Sequence, residues 1–136
     1  MMSELDRMFA EFWGSFSVPA FAGYAFSNDD EGKRARPKFP YITYEIRRAA
    51  FGVSTIISAS VWDRQNATPN FRGRTNKILE QIEKSVPEGG ALFKFESGSV
   101  WINRAGNFIE YQKQADPDDR LIVRAVVTVE VKGFVV

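Results

Sequence analysis

The chain has 136 residues, 44% of them hydrophobic and 26% charged, with a formal net charge of +1 and neither cysteine nor histidine. That is the size and composition of one globular domain, and residues 1–136 are read as a single domain. Disulfide frameworks, thiol nucleophiles, His-based triads and the usual zinc sites are excluded, and the near-neutral charge lacks the basic footprint of a nucleic-acid binder.

No apolar run approaches the length of a membrane span. Acidic Glu4 and Asp6 stand where a secretory leader carries basic residues, so neither a membrane nor secretion is expected. An enzyme built on this chain would be confined to Asp, Glu, Lys, Tyr or Ser chemistry. The reading is therefore of a non-enzyme with no catalytic residue, metal ligand or cofactor.

Ser3 stands at a cap position with Asp6 three residues on, a variant of the capping box. Leu5, Met8, Phe9, Phe12, Trp13 and Phe16 then recur at helical spacing and predict an amphipathic helix with an aromatic stripe. Phe21 to Phe26 is predicted as a short strand. Residues 27–39 carry no apolar period and are bounded by Pro37 and Pro40, which predicts a long flexible loop or hairpin connection. Its acidic residues (Asp29, Asp30, Glu31) precede its basic ones (Lys33, Arg34, Arg36, Lys38), which reads either as a solvated loop or as an arm that orders on a partner.

Tyr41 to Ala50 and Val53 to Trp62 are rich in β-formers and predict an antiparallel hairpin turning at Gly52. Ile42, Tyr44 and Ile46 share one face of the first strand; Val53, Thr55, Ile57, Ala59 and Val61 share one face of the second. Thr68-Pro69 is a helix start, with Thr as cap and Pro at the first position. Phe71, Thr75, Ile78, Leu79, Ile82 and Val86 form the buried stripe of a helix running to about Ser85. Pro87-Glu88-Gly89-Gly90 ends it. Ala91 to Glu96, Gly98 to Arg104 and Phe108 to Gln112 are predicted as strands, and residues 115–119 as a turn. Leu121 to Lys132 alternates most cleanly, with Val123, Ala125, Val127, Val129 and Val131 on one face. This order gives an α+β class: an antiparallel, mixed-edge sheet with two amphipathic helices packed on one face.

Motifs for chemistry are weak. Gly89-Gly90 lacks the Lys-Ser/Thr of a phosphate loop. Asp116-Pro117-Asp118-Asp119 lacks the alternating ligands and closing Glu of a calcium loop. Tyr41, Tyr44 and Trp101 have no Gly-flanked aromatic motif or basic groove that would make them base-stacking platforms. Trp62-Asp63-Arg64 closes the second hairpin strand. Trp and Arg are favoured interface anchors; equally, Trp62 covers the sheet edge while Asp63 or Asn66 supports the turn into the helix.

The order of these stretches is more specific than any one of them. FPYITYEI is followed by FGVSTIISASVWDR, then by a helix TPNFRGRTNKILEQIEKSV, a GSVWINR strand and a closing LIVRAVVTVEVKGF strand. Over roughly residues 39–134 this resembles the tail terminator (tail completion) proteins of long-tailed bacteriophages and prophages. The resemblance implies a structural virion protein that forms a hexameric ring on the head-proximal end of the tail. The ring caps the tube, stops its polymerisation and presents the head-joining surface. The implied partners are other copies of the chain, the tail tube protein and a head-completion protein. Localisation would be the virion, after assembly in the host cytoplasm; DNA would pass through the lumen without being specifically bound.

A ring needs heterologous contacts between copies. The edge of the hairpin at 41–62 and the long closing strand are the surfaces expected to extend a sheet across subunits. On that reading Tyr41, Arg47, Arg48, Trp62, Asp63 and Arg64, with Lys33, Arg34, Arg36 and Lys38 of the loop, are contact residues. The alternatives are a head-closure or head–tail joining protein, and a nucleic-acid-binding module using Arg72, Arg74 and Lys77.

Overall fold

A computed structural model of the chain describes residues 4–23, 27–28, 34–35, 38–45, 53–64, 73–96, 98–112, 116–119 and 121–135. Two helices, α1 (Glu4–Trp13) and α2 (Arg74–Ser85), accompany eight strands. These are β1 (Ala20–Ala22), β2 (Ser27–Asn28), β3 (Arg34–Ala35), β4 (Tyr41–Tyr44), β5 (Ser54–Arg64), β6 (Ala91–Phe95), β7 (Gly98–Gln112) and β8 (Ile122–Val135). Six of them form one sheet in the order β1-β4-β5-β8-β7-β6, while β2 and β3 pair separately. Only β1 runs parallel to its neighbour; the other four ladders are antiparallel. The class is α+β, as the element order predicts.

Alternation along β8 sets the two faces. Val123, Ala125, Val127, Val129 and Val131 are buried, while Arg124, Val126, Thr128, Glu130 and Lys132 are half-buried on the other side. The ladder with β5 carries the same phase across, so Ile57, Ala59, Val61 and Asp63 join the buried face. Ile42 and Tyr44 extend it on β4, and Val100 and Ile102 on β7. Both helices pack here. Met8, Phe9, Phe12 and Trp13 of α1, with Phe16 beyond it, share one core with Ile78, Leu79, Ile82 and Val86. Phe12 meets Phe93 of β6 edge-on at 4.9 Å and Trp13 stacks on Tyr44 at 6.4 Å, so α1 lies across most of the sheet. Gly14 follows the helix, and its amide donates to the Ala10 carbonyl at 2.9 Å.

Several expected boundaries shift. Within residues 27–39 a short antiparallel ladder pairs Ser27 with Ala35 and Asn28 with Arg34, the pairing of the hairpin alternative. The first hairpin strand spans Tyr41–Tyr44, and its predicted continuation to Ala50 falls outside the described residues, as does the Thr68-Pro69 helix start. Phe108 to Gln112 is no separate strand; it continues β7 beyond a bulge between Arg104 and Ile109. Gly106 and Phe108 take φ of 58° and 59° there. An L-residue pays strain for that conformation, and Phe108 offsets it by packing on the core while the Arg104 guanidinium covers its ring at 4.4 Å.

The expectation that the hairpin edge and the closing strand offer free edges is corrected. β4 is covered by β1, and β8 is paired along both sides, to β5 and to β7. The two ladders bond both rows of β8 backbone groups and leave neither row for another chain. Among the described strands the outer positions of this sheet belong to β1 and β6.

Burial, and next the negative charge of Asp6, push the Tyr44 hydroxyl above its ordinary pKa of 10.0. As pH rises past 10.0 the unfolded chain loses this proton first, so the folded state holds more protons and stability falls. The contribution is fully present below that pH and is lost through the folded pKa. In urea unfolding between about pH 9 and 11, wild type should lose stability more steeply than Tyr44→Phe; equal slopes would contradict this.

Candidate interface on the helix-free face of the sheet

The side chains of the sequence-predicted site divide sharply. Asp63 is 0% exposed. Its carboxylate accepts from the Arg64 amide at 2.8 Å, from the Thr75 hydroxyl, and from Arg74 Nε and Nη2 at 3.0 and 2.6 Å. Of the two readings left open for Asp63, the supporting one is observed: it ties the end of β5 to the first turn of α2. A negative charge is also favourable at a helix N-terminus. The hydrogen bond to Asp63 drives the Arg74 pKa further up and ties this half-exposed cation to the end of β5. Arg64 donates to Asp119 at 2.7 Å and so fixes the turn before β8. Asp116, Asp118 and Asp119 hold that turn, with Asp116 accepting from the Asp118 amide and Asp119 from the Leu121 amide.

Tyr41 is buried as well, which corrects its assignment as a contact residue. It stacks on Phe39 at 5.3 Å and on Trp62 at 6.5 Å, and meets Phe21 edge-on at 6.1 Å. Trp62 is half-buried and its Nε1 donates to Thr43 Oγ1 at 2.9 Å. Lys38 is exposed. Arg34 lies on β3; Lys33, Arg36, Arg47, Arg48 and Arg72 fall outside the described residues.

The face opposite the helices carries two zones. Strand register brings Leu92, Trp101, Lys132 and Ser54 into one cross-strand row, with Ile56 and Glu130 in the next. Leu92 is 47% exposed, Trp101 38% and Ile56 54%. The Trp101 ring comes close to Gly90, where a Cβ would stand 2.9 Å from it and where φ is 83°. Leu92 and Trp101 are direct cross-strand neighbours and form an exposed apolar pair, while Ile56 stands two strands away across Lys132 and Glu130 of β8, a mixed surface of the kind found at protein contacts.

At the other end of the face, Thr43, Glu45, Ser58, Ser60 and Arg124 line a shallow depression of about 190 Å³. Arg124 donates Nε to Ser60 Oγ at 2.9 Å and its guanidinium lies 5.0 Å over the Trp62 ring. Sequence reasoning placed Arg124 on the mixed face of the last strand but had no means to bring it to Trp62. The 62↔124 register does that. Leu92 was equally invisible, since its strand is short and only pairing with Trp101 shows where it points.

Among the described residues no Asp or Glu side chains converge in a group that could hold a metal ion, and no helix is long and apolar enough to cross a membrane. No protein-family model matches the chain, nor does a curated protein or a solved structure.

Arg74→Met should cost about 1–3 kcal/mol because the buried Asp63 carboxylate loses its charged donor. The lower end is expected, since the Arg74 side chain is more than half exposed and its charge is screened. Asp63→Asn together with Arg74→Met should cost less than the sum of the single changes. Additive losses in urea unfolding would show that the pair is not coupled.

Proposed function

We propose that this chain is a structural subunit of a bacteriophage or prophage tail, a tail terminator. It closes into a ring of six copies that caps the tube, halts its growth and offers the surface to which the head is joined. The observation that carries the reading is the helix-free face of the sheet, where the cross-strand pair Leu92 and Trp101 stands in water, with Ile56 also exposed two strands away. A lone subunit keeps such a pair exposed at a cost that burial against another protein removes, at about 25 cal/mol per Å² of apolar surface.

Other features fit the same reading. The sheet is rigid and continuous, so a contact made on one face is held in a fixed orientation relative to the helices. A closed ring depends on such a fixed rotation between copies. The basic residue best placed for nucleic acid on α2, Arg74, is bound to Asp63.

Light scattering behind a sizing column, with the same sample on a grid, tests the proposal. The expected result is six times the mass of one chain and rings with a central hole. Trp101→Lys should give a folded monomer whose far-ultraviolet circular dichroism matches wild type, with a lower and concentration-independent unfolding midpoint. A monomer at every concentration would sink the ring; a ring that survives the substitution would sink this surface as its contact.

A further inference from the structure

We propose that the depression beside Trp62 is a receptor for a single carboxylate group, with Arg124 as its anchor. The site stands whether or not the chain assembles, because every donor in it belongs to one subunit.

Arg124 is held before any ligand arrives. Its Nε is spent on Ser60 Oγ at 2.9 Å, and its plane rests over Trp62. Trp62 is fixed in turn by Thr43 and by stacking on buried Tyr41. A guanidinium set in this way loses little freedom on binding, and its remaining N–H groups form the fork that matches a carboxylate. Those terminal groups make no hydrogen bond to a described residue.

The hydroxyls reinforce the preference for an anion. Ser60 Oγ accepts from Arg124, and Thr43 Oγ1 accepts from Trp62. Each hydroxyl therefore has an acceptor lone pair engaged by a fixed donor, and keeps its own proton to donate. Ser58 adds a third hydroxyl to the lining. One acid shares the depression. Glu45 accepts from the Ser58 amide at 3.1 Å, which places it beyond Ser60 from the Arg124 end. Two residues of strand separate Ser58 from Ser60, roughly 7 Å. A singly charged group fits against Arg124 at that separation, whereas a phosphate, with more charge to place, meets Glu45.

Carboxylates come either as small free acids or as Asp and Glu side chains of a protein. The experiment follows the side-chain Nε–Hε signal of Arg124 and the indole Nε1–Hε1 signal of the adjacent Trp62 by NMR on the full chain, the Trp62 signal serving for the Arg124→Lys variant as well. The probes are sodium acetate and a blocked Gly-Glu-Gly peptide, with sodium phosphate and sodium chloride at matched ionic strength. The expected result is a saturable shift with acetate and with the peptide, and a weaker one with phosphate. Binding by the peptide about tenfold tighter than acetate assigns the site to an acidic side chain; equal binding assigns it to a small acid. Arg124→Lys keeps the charge but loses the fork, and should weaken binding about tenfold while the rest of the spectrum stays in place. No saturable shift beyond that of chloride, tighter binding of phosphate, or full affinity in Arg124→Lys would overturn the proposal.

Discussion

Helix α2 is pinned at its two ends by side chains of opposite charge sent up from the sheet. Asp63, at the end of β5, holds Arg74 and Thr75 in the first turn. Arg104, on β7, donates Nε to the Val86 carbonyl at 2.6 Å and Nη2 to the Glu83 carbonyl at 3.1 Å. Both charges oppose the helix dipole in the favourable sense and satisfy groups that a helix end leaves unbonded. The helix thereby becomes a strut from β5 to β7, with β8 beneath it. Its apolar stripe has one place to go, and the alternation of β8 has one face to present to it.

The helix-free face follows from that arrangement. With α1 and α2 both on the odd-numbered side of β8, the even-numbered side keeps its half-buried residues. Its polar and apolar parts separate along the strands. Thr43, Ser58, Ser60 and Arg124 gather at one end, and Leu92, Trp101 and Ile56 at the other. A single sheet face thus offers a hydrogen-bonding zone and an apolar zone with fixed spacing. That is what a surface needs in order to set both the strength and the orientation of a contact.

The core was legible in the sequence because its signals are periodic. Met8, Phe9, Phe12 and Trp13 on a helix, and Val123 to Val131 on a strand, announce their faces by spacing alone. The position of the long strand was not legible. Apolar alternation shows which face is buried, but not whether a strand lies inside a sheet or at its rim. The free edge expected of Leu121–Lys132 therefore gave way to two ladders. The bulge in β7 was missed for a related reason: Arg104 and Ile109 are joined through a break that needs positive φ at Phe108, a residue with no preference for it. In the candidate site, Trp62-Asp63-Arg64 was recognised as a junction. Its partners Arg124, Arg74 and Asp119 are far away in sequence, and register alone brings them together.

The central claim is that the helix-free face is where this chain meets its neighbours, and the most direct test is an electron cryomicroscopy reconstruction of the assembled protein. The account predicts a closed ring in which Leu92, Trp101 and Ile56 are buried against an adjacent copy or a tail partner, with α1 and α2 facing away from that contact. A ring joined through the helices, with Trp101 left in solvent, would contradict it.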